Sequence, residues 1–288
     1  ERKMAAMQCF TSQIQKQRYD LDIAALNRYR TYTLPAEIKA AEAYVIISAE
    51  ELTKDPLKLY QSEYSRQKEL RLPIDHHDIP LVSIIVRSMD RPTLSKALDS
   101  VALQTYSNIE VLVVNAKGGF HTEIGNHCGQ FPLKIINQEG DPLGRSKAGN
   151  AGMNHVQGEY FSFLDDDDTF DPDHFSCLLS AYKDSSEGTI VYSAIRCIDR
   201  SDPERKILNV FSDSYEEGKL LAGNFIPIHA PLVPTYIIRQ KQICFDEALD
   251  VYEDWDFWLQ IEKHLHFVLI NQVTATYYLG GSSGANPL

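Results

Sequence analysis

The sequence has no C-x-x-C pair, no long apolar run and no surplus of positive charge, and each absence argues against a class of protein. Its five cysteines, Cys9, Cys128, Cys177, Cys197 and Cys244, are an odd number and widely spaced. That pattern speaks against a disulfide framework or a zinc ribbon and for a reducing, cytoplasmic setting. Apolar runs such as Leu81 to Val86 are far too short to span a bilayer, and no signal peptide is visible. Lys and Arg total 28 against 40 Asp and Glu, a formal net charge of -12. Nucleic-acid binders normally show a basic face, and anionic lipid offers such a chain no attraction, so neither partner is expected. G-x-S-x-G, H-E-x-x-H, the Walker A loop and G-x-G-x-x-G are all missing, which leaves serine hydrolases, zincins and the common nucleotide loops without support. The chain opens Glu1-Arg2-Lys3 rather than with Met. It therefore reads as a piece of a longer polypeptide, whose other parts could bring it to the inner face of a membrane.

What is present looks globular: 43% hydrophobic and 24% charged residues over 288 positions suffice for one large domain and an appendage. Composition changes near residue 80. Residues 1–79 read as a helical N-terminal segment and linker, with Ile23, Leu26 and Tyr29 on one helical side and Pro35 opening a second helix. His76-His77-Asp78 falls in a Pro-flanked stretch and reads as a solvated connection rather than a metal site. Residues 80–288 form the second domain. Leu81 to Val86 predicts a strand buried on both sides, and Pro92 opens a helix carrying Leu94, Ala97, Leu98, Val101 and Ala102 on one face. Further strands are expected over Ile109 to Val114, Leu133 to Ile136 and Glu159 to Leu164, with a helix over Ser146 to Val156. This alternation implies an α/β fold, a mostly parallel sheet with helices on both faces, and ligands at the carboxyl ends of the strands.

The last of these strands runs directly into Asp165-Asp166-Asp167-Asp168. Adjacent carboxylates repel one another, and a hard divalent cation such as Mg²⁺ or Mn²⁺ relieves the repulsion. In an extended segment alternate residues share a side, so Asp165 and Asp167 can face one site together. Asp171-Pro172 is expected to cap the next helix. In Tyr252-Glu253-Asp254-Trp255-Asp256-Phe257-Trp258, the residues Phe257, Trp258, Ile261 and Leu265 give a helical apolar face with Glu253 and Asp254 at its start. A carboxylate fixed there and walled by Trp255 and Trp258 suits a general base, but on these residues alone a simple helix cap is the preferred reading. Gly144-Arg145-Ser146-Lys147 is a Gly-flanked helix start with two cations, suited to a diphosphate. His229, between Pro227 and Pro231, is as readily structural as cleft-lining.

Taken in order, these segments resemble the family-2 inverting glycosyltransferases of the GT-A fold. Val82 to Pro92 looks like the family's first strand and loop, Ala97 to Tyr106 and Glu110 to Asn115 like its first helix and second strand. Gly149 to Gly152, Gly158-Glu159-Tyr160 and Leu164 to Asp168 look like the approach to its D-x-D motif, and Glu253 to Asp256 like its acidic base motif. The resemblance covers about Pro80 to Tyr278. It implies a GT-A (Rossmann-like) domain that moves a sugar from a nucleotide-diphosphate donor, UDP favoured, to a hydroxyl of a glycan or glycolipid acceptor, in bacterial polysaccharide assembly. It implies Asp254 as catalytic base, Asp167 and Asp165 as ligands of Mn²⁺ or Mg²⁺, and Ser88, Asp90, Asn115, Arg145, Asp165 and Asp166 around the donor. Arg87 and Arg91 are cations close by. Two positions depart from the pattern: Ala116 stands where an acidic residue usually helps read the base, and Tyr277 to Ser283 lacks the His that many relatives place after the last core strand. The competing expectation is a non-catalytic GT-A-like binding or scaffold module of a larger glycan-assembly protein. A sugar-1-phosphate nucleotidylyltransferase is disfavoured, because Arg87 to Pro92 contains no Gly.

Overall fold

The computed structural model describes residues 79–183, 185, 188–249 and 251–280. The expected N-terminal helices and the His76-His77-Asp78 stretch lie outside the described residues. Among the described residues ten strands form one sheet in the order β3-β4-β2-β1-β5-β9-β7-β10-β6, with β8 (Ile207–Phe211) added to β7. At its centre β1 (Val82–Ser88) lies parallel to β2 (Ile109–Asn115) on one side and β5 (Tyr160–Asp165) on the other. Every residue of β1 is buried, as its unbroken Val-Ser-Ile-Ile-Val sequence requires. β4 (Phe131–Ile136) continues the parallel run beyond β2, and the short β3 (His127–Cys128) closes that edge antiparallel.

The other half of the sheet is mixed. β9 (Pro231–Pro234) runs antiparallel to both β5 and β7 (Thr189–Asp199), and β10 (His266–Leu279) pairs parallel with β7. The short β6 (Thr169–Phe170) lies antiparallel on β10. Prolines at both ends of β9 hide it from periodicity analysis, because proline cannot donate to a ladder. Only Leu232 and Val233 lie between them, and both are fully buried.

The helices follow the apolar spacing. α1 (Leu94–Ala102) buries Leu94, Ala97, Val101 and Ala102, as expected. α2 (Arg145–Met153) approaches the sheet through glycines: a Cβ on Gly152 would stand 2.3 Å from Ile85 Cγ2, and one on Gly149 2.4 Å from Phe245 Cε2. That close approach sets the start of α2 against the ends of β1 and β2. α3 (His174–Lys183) begins later than expected. Asp171 does not cap it, because the Asp171 carboxylate is paired with Arg196, Nη1 standing 3.1 Å away. The short α4 (Lys219–Ala222) and α5 (Thr235–Lys241) precede α6 (Glu253–Glu262), whose Phe257, Trp258 and Ile261 are fully buried. The carboxyl ends of β1, β2 and β5 therefore share one edge with the starts of α2, β9 and α6. Cys128, Cys177, Cys197 and Cys244 are all free thiols. Among the described residues no helix is long and apolar enough to cross a membrane.

Candidate active site

At that edge lies a cleft of about 280 Å³, lined by Arg87, Arg145, Asp165, Asn224, His229 and Asp254 among others. The Asp run enters it as a tight turn rather than an extended segment, with the Asp168 N–H bonding the Asp165 carbonyl at 3.1 Å. The turn sends its four side chains to different places. Asp165 accepts two hydrogen bonds from Arg87, from Nε at 2.7 Å and Nη2 at 3.0 Å. Burial works against its charge, but Arg87 overcomes this and holds its pKa below the usual carboxylate value. Asp166 is fully buried and faces the loop after β1, accepting from the Met89 N–H at 2.7 Å and from Arg91 Nη1 at 2.7 Å. Asp167 keeps 14% of its side chain exposed, and burial with the neighbouring Asp165 raises its pKa. Asp168 is buried and accepts from the Tyr278 N–H at 2.9 Å, and desolvation pushes its pKa well up.

Oxygens of Asp165, Asp167 and Asp168 all lie within 4.8 Å of one another. Three mutually repelling carboxylates, two of them biased toward protonation, form an all-oxygen donor set that fits a hard divalent cation. Against this, both Asp165 oxygens already carry Arg87, so Asp167 is the more available ligand. The paired Asp165 and Asp167 of the extended-segment reading thus become a cluster that includes Asp168.

Arg87 reaches beyond the Asp run. Its Nη1 lies 3.1 Å from Glu253 Oε1 at the start of α6, and both side chains are about 95% buried or more. Burial opposes the guanidinium charge, while Asp165 and Glu253 raise its pKa above normal. One arginine therefore locks the end of β5 to the start of α6, and so sets the distance between the two acidic segments.

Asp254 sits beside this lock. Its Oδ2 accepts from Asn224 Nδ2 at 2.9 Å and its Oδ1 from the Trp255 N–H at 2.8 Å. Desolvation, with the adjacent Glu253 charge second, pushes its pKa up to about 6. The tryptophans do not wall it as the sequence suggested. Trp255 Nε1 bonds the Leu220 carbonyl at 2.6 Å and Trp258 Nε1 the Ile226 carbonyl at 3.0 Å, so both indoles anchor the 220–226 loop. That loop delivers Asn224, Phe225 and Ile226 to the cleft in their place. The preceding Tyr252 adopts a left-handed backbone (φ 63°) and leaves its ring exposed at the cleft mouth.

The other named residues ring the same edge. Arg145, first residue of α2, lines the cleft, whereas Lys147 is exposed and does not. Ser88 ends β1 with its Oγ 2.9 Å from His121 Nε2. His121 Nδ1 lies 2.8 Å from the Thr122 carbonyl, an acceptor, so Nε2 is the acceptor for the Ser88 hydroxyl. Asp90 (φ 56°) is bound by Lys117 at 2.6 Å and by the Thr122 hydroxyl at 3.0 Å, and Lys117 above all draws its pKa down to about 2. Asn115 is fully buried and closes the loop after β2, donating to the Gly119 carbonyl at 2.8 Å. Neighbouring Ala116, at the position where an acidic residue would help read the base, is buried, and Lys117 puts a cation next to Asp90. Ser88, Asp90 and Asn115 thus build the loops beside the cleft but are not among its lining residues. Asn224 and the linking role of Arg87 were missed in the sequence; a lone Asn 30 residues before its partner leaves no local signal.

Comparisons with known proteins agree with this architecture. The sequence matches the model of glycosyl transferase family 2 over residues 83–239. It is 31% identical over 191 residues to an uncharacterised glycosyltransferase of Rickettsia prowazekii, covering 63% of this chain and 58% of that one. It is 30% identical over 199 residues to one of Rickettsia felis, covering 65% of this chain and 33% of the relative. The chain therefore spans between a third and three fifths of these relatives' length. Among solved structures, S. aureus TarS 1-349 in complex with UDP-GlcNAc is similar with a TM-score of 0.57 at 18% identity, covering 70% of this chain and 60% of that one. A mannosyltransferase from Pyrobaculum calidifontis, in complex with GDP-Man and Mn²⁺, gives 0.51 at 17% identity, covering 79% of this chain and 66% of that one. The family match spans more than half of the sequence and these likenesses give its sheet the GT-A fold, so the chain belongs to glycosyl transferase family 2.

Proposed function

We propose that this domain transfers a sugar from a nucleotide-diphosphate donor, UDP favoured, to a hydroxyl group of a glycan or glycolipid acceptor, with inversion at the anomeric carbon. One observation carries this reading above the others: Asp254, with its pKa raised to about 6, shares a cleft with Arg145 and Asp165. A base poised near neutral pH and a cationic helix start are what an alcohol attacking a glycosyl diphosphate needs.

In this mechanism the Asp254 carboxylate takes the acceptor O–H proton as that oxygen bonds to the anomeric carbon. The bond from that carbon to the diphosphate oxygen breaks on the opposite face, and its electron pair leaves with the nucleoside diphosphate. Asn224 and the Trp255 N–H hold the carboxylate in place. Arg145 offsets charge on the departing group at the start of α2. Asp167 and Asp165 would hold Mn²⁺ or Mg²⁺, which when bound supplies charge neutralisation at the diphosphate. Ser88, Asp90 and Asn115 shape the loops on which the nucleoside would rest, and Asp166 holds the first of them through Arg91 and the Met89 N–H. Residues 1–79 would be a separate helical segment before the catalytic domain at 80–288.

A screen of nucleotide-sugars for metal-dependent transfer, run on the wild type and on Asp254→Asn, tests this reading. It expects turnover lost in the variant while calorimetry still detects UDP. The Arg87 bridge over both Asp165 oxygens favours a second reading, a non-catalytic binding module. Failure of the wild type to bind UDP with Mn²⁺ would reject the enzyme.

A further inference from the structure

At the opposite edge of the sheet, where β5 begins and β9 ends, lies a larger cavity of about 510 Å³. β5 runs from Tyr160 at this edge to Asp165 at the cleft, a span of roughly 16 Å at the usual rise of a strand. Tyr160 and Tyr236 give the cavity its rings, and Gln157, Glu159, Arg239 and Gln240 its polar groups. Two hydrogen bonds fix its walls, from the Thr235 N–H to the Glu159 carbonyl at 2.8 Å and from Arg239 Nη2 to the Val156 carbonyl at 2.8 Å. Thr235 also lines it, only 3% exposed, and its Oγ1 has no hydrogen-bond partner, which buried hydroxyls normally find. A further cavity of about 380 Å³ shares Tyr160 and adds Tyr106, Ser180, Tyr182 and Lys183. The rings of Tyr160 and Tyr182 lie 4.8 Å apart between centroids, so the two cavities meet on an aromatic pair.

We propose that the two cavities joined at Tyr160 form a binding site for a neutral oligosaccharide, remote from the cleft at Asp254. A pyranose ring presents C–H groups on its faces and hydroxyls around its rim. Tyrosine faces take the C–H groups, while planar amide and guanidinium groups and a free hydroxyl take the rim. Charge argues against other ligands: Glu159 offsets Arg239 in the larger cavity, so neither a phosphate nor a cation gains net attraction there. The volume lies within the roughly 300–1,000 Å³ of ordinary ligand pockets. Such a site would hold the body of a glycan acceptor and raise the local concentration of its reacting end. That tethering role, unlike the binding itself, rests on the transfer reaction given under Proposed function.

The test applies the full chain to an array of neutral oligosaccharides of graded length, built on glucose, galactose, mannose and N-acetylglucosamine, with anionic glycans alongside. Wild type and Asp254→Asn should retain the same neutral oligosaccharide, and excess UDP with Mn²⁺ should not displace it. Tyr236 is 44% exposed, so Tyr236→Ala should keep the wild-type melting temperature while binding weakens at least about tenfold. Gln240→Ala, also at an exposed position, should weaken it less. Displacement by UDP, full binding in both variants, or binding of anionic glycans alone overturns the inference, as does an array with no bound neutral glycan. The competition with UDP decides the matter even if a variant fails to fold. With the retained oligosaccharide as acceptor, Tyr236→Ala should raise KM and leave kcat unchanged, and an unmoved KM overturns the tethering role. Binding without any transfer by the wild type would reject the proposed function and leave this site standing.

Discussion

At the end of β5 four carboxylates meet two arginines and several backbone N–H groups; at the start of α6 Asp254 meets one amide side chain and one N–H. Both segments are runs of acidic residues at element termini. In the first, Asp165 is held ionised by a buried cation, and in the second, Asp254 is pushed toward protonation by burial and by Glu253. Residue type alone does not separate a charge-holding site from a proton-accepting one, because the surroundings set the pKa. Arg87 makes the division, taking Asp165 and Glu253 as its partners and leaving Asp254 without a direct bond to it.

The largest expected effect breaks the proton-accepting side alone. Asp254→Asn should lower the transfer rate by about 10²- to 10⁴-fold while UDP binding persists, measured by kinetics and calorimetry on one preparation. Retained turnover would move the base elsewhere. Next comes the link between the segments. Arg87→Met strands Glu253 and partly buried Asp165 without their cation and should cost about 3 kcal/mol in denaturant unfolding. An unchanged midpoint would mean that the two segments are independent.

A pH profile sharpens the contrast further. An acting base must be ionised, so the rate should fall about tenfold per pH unit below a limb near 6 and level off above it. Stability should move the other way. The folded pKa lies above the ordinary aspartate value of 3.8, so folding favours the protonated form of Asp254. Its contribution is full below about 4 and is lost as pH rises through about 6, a slope that Asp254→Asn should remove from the melting profile. The smallest effect should come from Asn224→Ala. Asn224 lowers the Asp254 pKa by hydrogen bonding, so its loss should shift the rate limb to higher pH by a fraction of a unit.

Much of this was legible along the chain. The run through β1, the apolar face of α1 and the strand entering Asp165 are local patterns, and period and burial decide such elements from neighbouring residues alone. β9 was not legible, since Pro231 and Pro234 mask a strand that only its neighbours β5 and β7 complete. The Asp run was found, but its internal geometry was not: an extended segment and a turn share one sequence, and the Asp168 N–H bond to Asp165 selects the turn. Trp255 and Trp258 look like a wall beside Asp254 when read in sequence, and the fold turns them to the 220–226 loop because buried indole N–H groups need acceptors.

The sequence by itself determined the α/β alternation and the two acidic segments, because hydrophobic period and charge clustering are properties of adjacent residues. Tertiary structure alone decided which carboxylates are neutralised, which is left near neutral pKa, and that His229 comes to face Asp168. Those outcomes depend on Arg87, Asn224 and Tyr277, which lie far from their partners in the chain and meet them only where the ends of β1, β5 and β10 come to the start of α6. Desolvation and pairing act over a few ångströms of space, and no spacing along the sequence encodes them.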